Sequence, residues 1–413
     1  MTAVADLLLK ADVKLNYLIK FMENYTMKNN ILFSFFLAFS AFSITTFNSC
    51  NTIIPQQTLL NEPNMNVLDQ VKLAIHSTHT MAGIYAKSYG TSSYFIKCYE
   101  LKGGKWVYIQ KINLPFIPKS IAIYDNYAVV GQSNLDSCKA SVYVFRNDTW
   151  NFVQDLFPAD STEKKYPDFG ESVDIYKDYI VVGSPYIDKK GSVKGYAYIY
   201  KLSNFEWNQV AKLKTINPTT LYHFGAQVQI DENVCIVKSI KTVDYINNNY
   251  QLHVFKKIDD ATWNETDVLN QSGDLITPFF AQDFDLYGQN IIVSSQNSFT
   301  YADSVHRYST YFYTAPKGPK YLLNAKYINH FNGSDVAVNG TNGYVSNSDL
   351  GKNLVQTYKY DNGSFTPKHT IIQPKDRYIL EGIKSTNDYL IYYGRTKSAN
   401  YQNDSSFLYF YKL

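Results

Sequence analysis

Val173-Asp174-Ile175-Tyr176-Lys177-Asp178-Tyr179-Ile180-Val181-Val182-Gly183 is the stretch on which the reading of this chain turns. Two apolar residues spaced by one come first. A polar turn follows, then a short apolar run that ends on a small residue. Strict alternation marks a half-buried strand, and a continuous apolar run of this length marks a strand buried on both faces. The pattern recurs along the chain. It reads Leu73 and Ile75 ending at Gly83; Ile121 and Ile123 with Tyr127 to Gly131; Val228 and Ile230 with Val234 to Val237; Phe284 and Leu286 with Ile291 to Ser294; and Val336 and Val338 ending at Val345-Ser346. A seventh copy, Ile383 with Tyr389 to Gly394, carries a slightly longer turn. The other six align without a gap over the eight positions after the second apolar residue, and the run closes there on a small residue in all but the fourth, which has Lys238. With Ile75, Ile123, Ile175, Ile230, Leu286, Val338 and Ile383 as anchors, successive spacings are 48, 52, 55, 56, 52 and 45. A period of about 50 built from short strands is the spacing of four-stranded propeller blades. The expected fold is all-β, a seven-bladed β-propeller of four-stranded blades.

A second marker has the same phase. All four Trp, at 106, 150, 207 and 263, fall at one place in the repeat, and an apolar residue follows each by six positions: Ile112, Leu156, Leu213 and Leu269. Tyr321 with Tyr327 and Phe365 with Ile371 continue the series. An even spacing predicts that both residues share one face of the outer strand. Third strands are expected around 140–145, 196–200, 251–255 and 407–411, with Gly103-Gly104, Asn147-Asp148 and Asn362-Gly363 as turns to the outer strand. The seventh copy ends at Leu413, after its third strand. An open sheet edge needs cover, so the segment around Gln56-Gln57-Thr58-Leu59-Leu60 is expected to supply the missing outer strand. The competing expectation for it is a flexible tether.

Lys+Arg is 39 against Asp+Glu 36, a formal net charge of +3. That near balance excludes the basic stripe a nucleic-acid binder needs. Aromatic residues make up 16% of the chain, with 37 Tyr. Strand propensity accounts for them, although a tyrosine-rich surface also suits sugars or protein.

Residues 27–49 are expected to be a signal peptide: Lys28 supplies a positive start, and an uncharged apolar run extends from Ile31 to Phe47. Asn48-Ser49-Cys50 resembles the lipobox of bacterial lipoproteins, which implies that Cys50 is the lipid anchor. Residues 1–26 then form an upstream extension, 50–65 a tether and possible ring-closing strand, and 66–413 the propeller. The implied location is the bacterial cell envelope, lipid-anchored to the outer membrane.

Phe169-Gly170 and Phe224-Gly225 each begin six residues before an anchor, and Gly183-Ser184-Pro185 follows a second strand. This layout resembles the FG-GAP repeat, the blade unit of integrin alpha-subunit propellers. Phe116, Phe280-Ala281 and Phe331-Asn332-Gly333 are looser versions of it. The resemblance implies seven blades and ligand binding or adhesion at the rim. The calcium loop of some such blades has its counterpart at Ser184–Gly191, where one Asp and two Lys are a poor oxygen cage. No calcium site or other metal is expected.

Searches for a nucleophile elbow, a zinc-protease motif, a phosphate loop and a dinucleotide fingerprint find none. No cofactor is expected. His76-Ser77-Thr78-His79 lies in a turn without further ligands nearby. Asp174, Asp283, Asp285 and Asp335 stand near inner strands of different blades and could converge on the axis. Bonding to blade tops is their ordinary role, and paired catalytic carboxylates are the other one. Cys235 reads as a buried filler, while Cys98 and Cys138, in adjacent blades, leave a disulfide open. The favoured function is a non-catalytic module binding an envelope protein or glycan. Its ligand residues are assigned to long loops of the fourth and fifth copies, at Tyr245, Tyr250, Tyr301 and Tyr308. The alternative is a carbohydrate-active enzyme using the channel carboxylates.

Overall fold

The computed structural model describes residues 57–60, 66–67, 71–88, 91–133, 138–159, 168–185, 195–216, 221–242, 248–270, 280–296, 308–315, 321–329, 335–349, 352–361, 364–372, 378–396 and 406–413. The expectations for residues 1–49, Cys50, Tyr245, Tyr301 and most of the loop at Ser184–Gly191 lie outside them.

Seven antiparallel sheets follow one another along the chain. In blade three, Ser172–Tyr176 pairs with Tyr179–Ser184, which pairs with Tyr196–Ser203, which pairs with Glu206–Leu213. The other blades repeat this order of inner, second, third and outer strand. Blade seven takes its first three strands from Tyr378–Ser385, Tyr389–Thr396 and Ser406–Lys412. Its fourth is Gln57–Leu60, with Gln57 opposite Phe410 and Leu60 opposite Phe407. The ring is completed by apolar packing as well: Leu73, Ala82 and Trp106 of blade one share a core with Tyr389, Ile391 and Phe410 of blade seven.

The core is seven cores, one between each pair of neighbouring blades. Between blades two and three, Val129, Val142 and Leu156 meet Phe169, Ile175, Ile180 and Trp207. The anchors face the preceding blade. The residues one and three before them face the following one.

The outer strands correct one expectation. Trp150 packs into the core with blade one, whereas Leu156 packs into the core with blade three. The two lie on opposite faces because the register slips between Phe152 and Gln154. A β-bulge inserts one residue and turns an even spacing into an odd one. The same slip occurs between Trp207 and Leu213 and between Trp263 and Leu269. The outer strands of blades two, three and four therefore each send one large side chain into each of their two interfaces.

Outer strands of adjacent blades are joined by side chains. The Gln110 amide accepts from Trp150 N at 2.7 Å and donates to Trp150 O at 3.0 Å. Gln154 does the same to Trp207, at 3.0 Å for both bonds. Asp267 accepts from Tyr321 N at 3.0 Å. All three stand four residues after a Trp.

The Phe-Gly turn has a packing cause. Phe169 and Phe224 are buried plugs at the interface with the preceding blade. The glycines that follow adopt φ of 88° and 98°, in the left-handed region that only Gly enters without strain. Gly170 N donates to Gly183 O at 3.0 Å within the blade. The carbonyl of each such glycine presses on the small residue of the preceding blade: a Cβ at Gly131 would lie 1.9 Å from Gly170 O, and one at Gly183 would lie 2.0 Å from Gly225 O.

Blade four breaks the rule of the small residue. Its register sets Lys238 beside Gln227, where the other copies carry Gly or Ser. The Phe-Gly turn facing it is Phe280-Ala281, and Lys238 Nζ donates to Gln282 O at 2.8 Å. Cys98 and Cys235 are buried, and Cys98 and Cys138 are thiols rather than a disulfide.

Candidate functional site: the axial channel

Inner strands of neighbouring blades do not pair through their backbones. Side chains one and three positions before the anchor bridge them instead, in constant register. Three before, Ser120 accepts from Val173 N at 3.1 Å, Ser172 from Val228 N at 2.9 Å, and Asp283 from Val336 N at 3.1 Å. One before, Asp174 accepts from Ile230 N at 2.8 Å and Asp285 from Val338 N at 2.7 Å. In blade four, Gln227 and Gln229 reach forward and donate to Asp283 and Asp285 at 2.7 and 2.8 Å. The same position is Ala74, Ala122, Ala337 and Gly382 in blades one, two, six and seven. One side of the axis is thus built of polar side chains and the other of small ones.

Space is left along the axis. A cavity of about 580 Å³ is lined by Asp174, Gln229, Lys238, Asp283, Asp335 and Lys384, with Tyr393 and the Lys119–Glu171 pair (3.3 Å) at its wall. The carboxylates singled out in the sequence do come together: Asp174, Asp283 and Asp335 line this one cavity, and Asp285 lies within electrostatic range of Asp174. These groups are ringed by protein on all sides yet partly reached by solvent along the axis.

Their charges are shifted accordingly. Burial pushes Asp174 up to about 7, and the Asp285 charge adds to it, against the pull of two backbone N–H groups and Lys384. Burial likewise raises Asp285, with Lys384 and Val338 N–H opposing. Burial lowers Lys238 to about 8 in spite of Asp283. For Lys384 burial acts downward, but Asp285, Asp283, Asp335 and Asp174 together outweigh it and the ammonium is held above its ordinary value.

A carboxyl whose pKa is higher folded than unfolded holds its proton more tightly in the native state. The stability that Asp174 contributes is therefore whole below about pH 4, and it is lost as pH rises through about 7. Asn at this position keeps the acceptor for Ile230 N and has no charge to bury. Asp174→Asn is expected to stabilise the fold above about pH 7.5 by an amount on the order of a few kcal/mol, read as a higher melting temperature, and to change little near pH 4. Melting curves at both pH values check it; equal effects at the two would refute the assignment.

The rim tyrosines fare differently. Second and third strands of blade four run Val234–Thr242 and Asn248–Lys257, and those of blade five Asn290–Gln296 and Tyr308–Thr314. Tyr250 and Tyr308 thus belong to third strands, not to loops. Tyr250 is half-buried against the core of blades four and five, with Lys238 Nζ 4.6 Å from its ring centre. The side chains of Tyr245, Tyr301 and Tyr308 lie outside the described ones. His76 accepts from Asp125 N at 3.0 Å, and His79 packs on Phe145 and Trp150.

One arrangement has the order of a catalytic relay. Ser239 Oγ lies 2.8 Å from His253 Nε2, and His253 Nδ1 lies 2.5 Å from Glu265 Oε1. Ser239 is fully buried and His253 is 1% exposed. A nucleophile must meet its substrate, and here no carbonyl carbon can approach. The relay ties the second, third and outer strands of blade four and is a structural network.

Sequence reasoning missed Lys384, Lys238, Gln227 and Gln229. Lys238 had a signal, since it breaks the small-residue rule. Lys384 stands one after an anchor, a position that varies freely as His76, Tyr124, Tyr176, Asp231, Tyr287 and Asn339.

Residues 150–200 match the model of the FG-GAP repeat family. That span runs from the outer strand of blade two to the third strand of blade three. Among solved structures, the fold is similar to that of polysaccharide lyase Uly1, with a TM-score of 0.53 at 11% identity over 83% of this chain and 89% of that one. It is also similar to the β-propeller domain of the Trilobed protease from Pyrococcus furiosus, with a TM-score of 0.50 at 9% identity over 86% and 94%. No curated protein matches the chain by sequence. At these identities the likeness is one of fold.

Proposed function

We propose that the protein is a non-catalytic binding propeller of the bacterial cell envelope, that its ligand occupies the axial channel, and that Cys50 carries the lipid anchoring it to the outer membrane. One observation carries the channel reading. A cavity of about 580 Å³ lies where inner strands of all seven blades meet, and two of its carboxylates, Asp174 and Asp283, are held in place by backbone N–H groups of neighbouring blades. Polar groups fixed before the ligand arrives lose little entropy on binding. The anchor rests on Asn48-Ser49-Cys50 after its apolar run. An envelope glycan or protein is the partner class.

The test is crosslinked recovery from intact cells. The expected result is one envelope ligand that wild type and Leu322→Ser recover and Lys384→Met loses. Leu322 is 60% exposed on the outer strand of blade five, away from the axis. Recovery that ignores Lys384 would overturn the channel. Cys50→Ala is expected to leave the membrane fraction; an unchanged distribution, with no acyl mass on the wild type, would overturn the anchor.

A carbohydrate-active enzyme is the second reading, favoured by one observation: Asp174, pushed up to about 7, is half protonated at neutral pH beside the Asp285 carboxyl. A carboxyl raised towards neutral pH is the kind of group general acid–base chemistry uses. Against it, both carboxylates are committed to backbone N–H groups. Turnover of a glycan that Asp174→Asn abolishes would establish this reading over the first.

A further inference from the structure

The charged groups of the channel are unequally provided for. Asp283 accepts from Gln227 and Val336 N, Asp285 from Gln229 and Val338 N, and Asp174 from Ile230 N and Ile175 N. Lys238 donates to Gln282 O. Lys384 differs. Among the described residues no acceptor lies within hydrogen-bond distance of its Nζ, and no carboxylate comes within the 4.0 Å of an ion pair. Yet Asp285, Asp283, Asp335 and Asp174 all act on it through space. An ammonium has three donors and no acceptor, and this one lines the cavity.

The balance of charge selects what can bond to it. An anionic ligand reaching Lys384 must approach four carboxyl groups. A cationic one is repelled by Lys384 and finds Asp174, Asp283 and Asp285 already engaged by protein donors, with one oxygen of Asp335 alone left to it. A hydroxyl suits both sides at once: its oxygen accepts from Lys384 and its hydrogen turns towards a carboxylate. Two such bonds in series span about 5–6 Å, beyond the 4.0 Å of a direct ion pair. A peptide carbonyl accepts but has no hydrogen to give back on the same atom.

We propose that Lys384 is the ligand-anchoring residue of the channel, and that the ligand is an uncharged polyhydroxylated one, a neutral saccharide unit. This deepens the channel reading above and rests on it. Lys384 fixes specificity through its charge and its three donors, with the carboxylates excluding acidic sugars.

The experiment is calorimetric titration of the full chain with tetrasaccharides matched in length: neutral homotetramers of glucose, mannose and galactose, tetragalacturonate, and a glucosamine tetramer. At least one neutral tetramer is expected to bind, and neither charged one to bind better. Lys384→Met should weaken binding roughly tenfold to a hundredfold, the range for a hydrogen bond to a charged group. Lys384→Gln, which keeps a donor, should recover part of it, with both variants confirmed as folded by their melting curves. Preferred binding of a charged tetramer that still depends on Lys384 would overturn the ligand class and leave the channel as the site. Binding indifferent to Lys384 would overturn both. No binding by any neutral tetramer at concentrations up to about 0.1 M would overturn the saccharide assignment.

Discussion

Gly183→Ala is expected to yield little or no folded protein. The added methyl would sit 2.0 Å from the Gly225 carbonyl oxygen and 3.3 Å from Val228 Cγ1. The first contact is with backbone, so no rotamer change can relieve it. Blade four would have to move outward, while the ring fixes its distance from blades three and five. Ordinary overpacking costs about 1–3 kcal/mol, and a clash across a closed ring lies at or above the top of that range. Soluble yield and the denaturant midpoint measure the loss. Ser294 occupies the same position in blade five, where a Cβ is already accommodated; Ser294→Ala loses only the hydroxyl bonds to Asp283 N (3.0 Å) and O (3.3 Å), about 1–2 kcal/mol, and is the smaller-effect control. Equal behaviour of the two variants would show that contact between turn and strand does not set blade spacing.

Trp207→Ala is expected to cost about 3–5 kcal/mol, the usual range for removing a buried Trp. The side chain is 1% exposed and lies among Phe169, Tyr198 and Val142 between blades two and three. Its indole N–H has no hydrogen-bond partner, so the loss is one of packing. Trp207→Phe should therefore cost much less than the alanine change. Urea unfolding of both variants separates the cases; equal losses would mean that the indole N–H matters after all. Substituting Gln154, which accepts from Trp207 N and donates to its O, removes two bonds from the same contact. Its effect should fall below that of Trp207→Ala.

The sequence and the structure agree where a position does one job in every blade. Anchors such as Ile175 and Ile230 face the preceding interface throughout, so their spacing shows through any variation elsewhere. Phe169-Gly170 and Phe224-Gly225 are legible for the same reason: a plug and a left-handed turn admit few residue types. The outer strand misled because Trp150 and Leu156 count as an even spacing on paper, and a bulge has no composition that marks it. Lys238 was visible only as a break in the small-residue rule. Tyr250 and Tyr308 were placed in loops because strands two and three of blades four and five extend further than their apolar cores. Lys384 had no signal: its position carries no constant residue type from blade to blade, and only closure of the ring brings it near Asp174 and Asp285.

The most direct test of the channel as the binding site is photo-crosslinking in intact cells. A benzophenone amino acid would replace Tyr393, which lines the cavity, or Phe205, which is 81% exposed at the turn end of blade three. The account predicts a defined adduct from position 393 and none from position 205. An adduct from position 205 with none from 393 would contradict it and move the binding site to the rim.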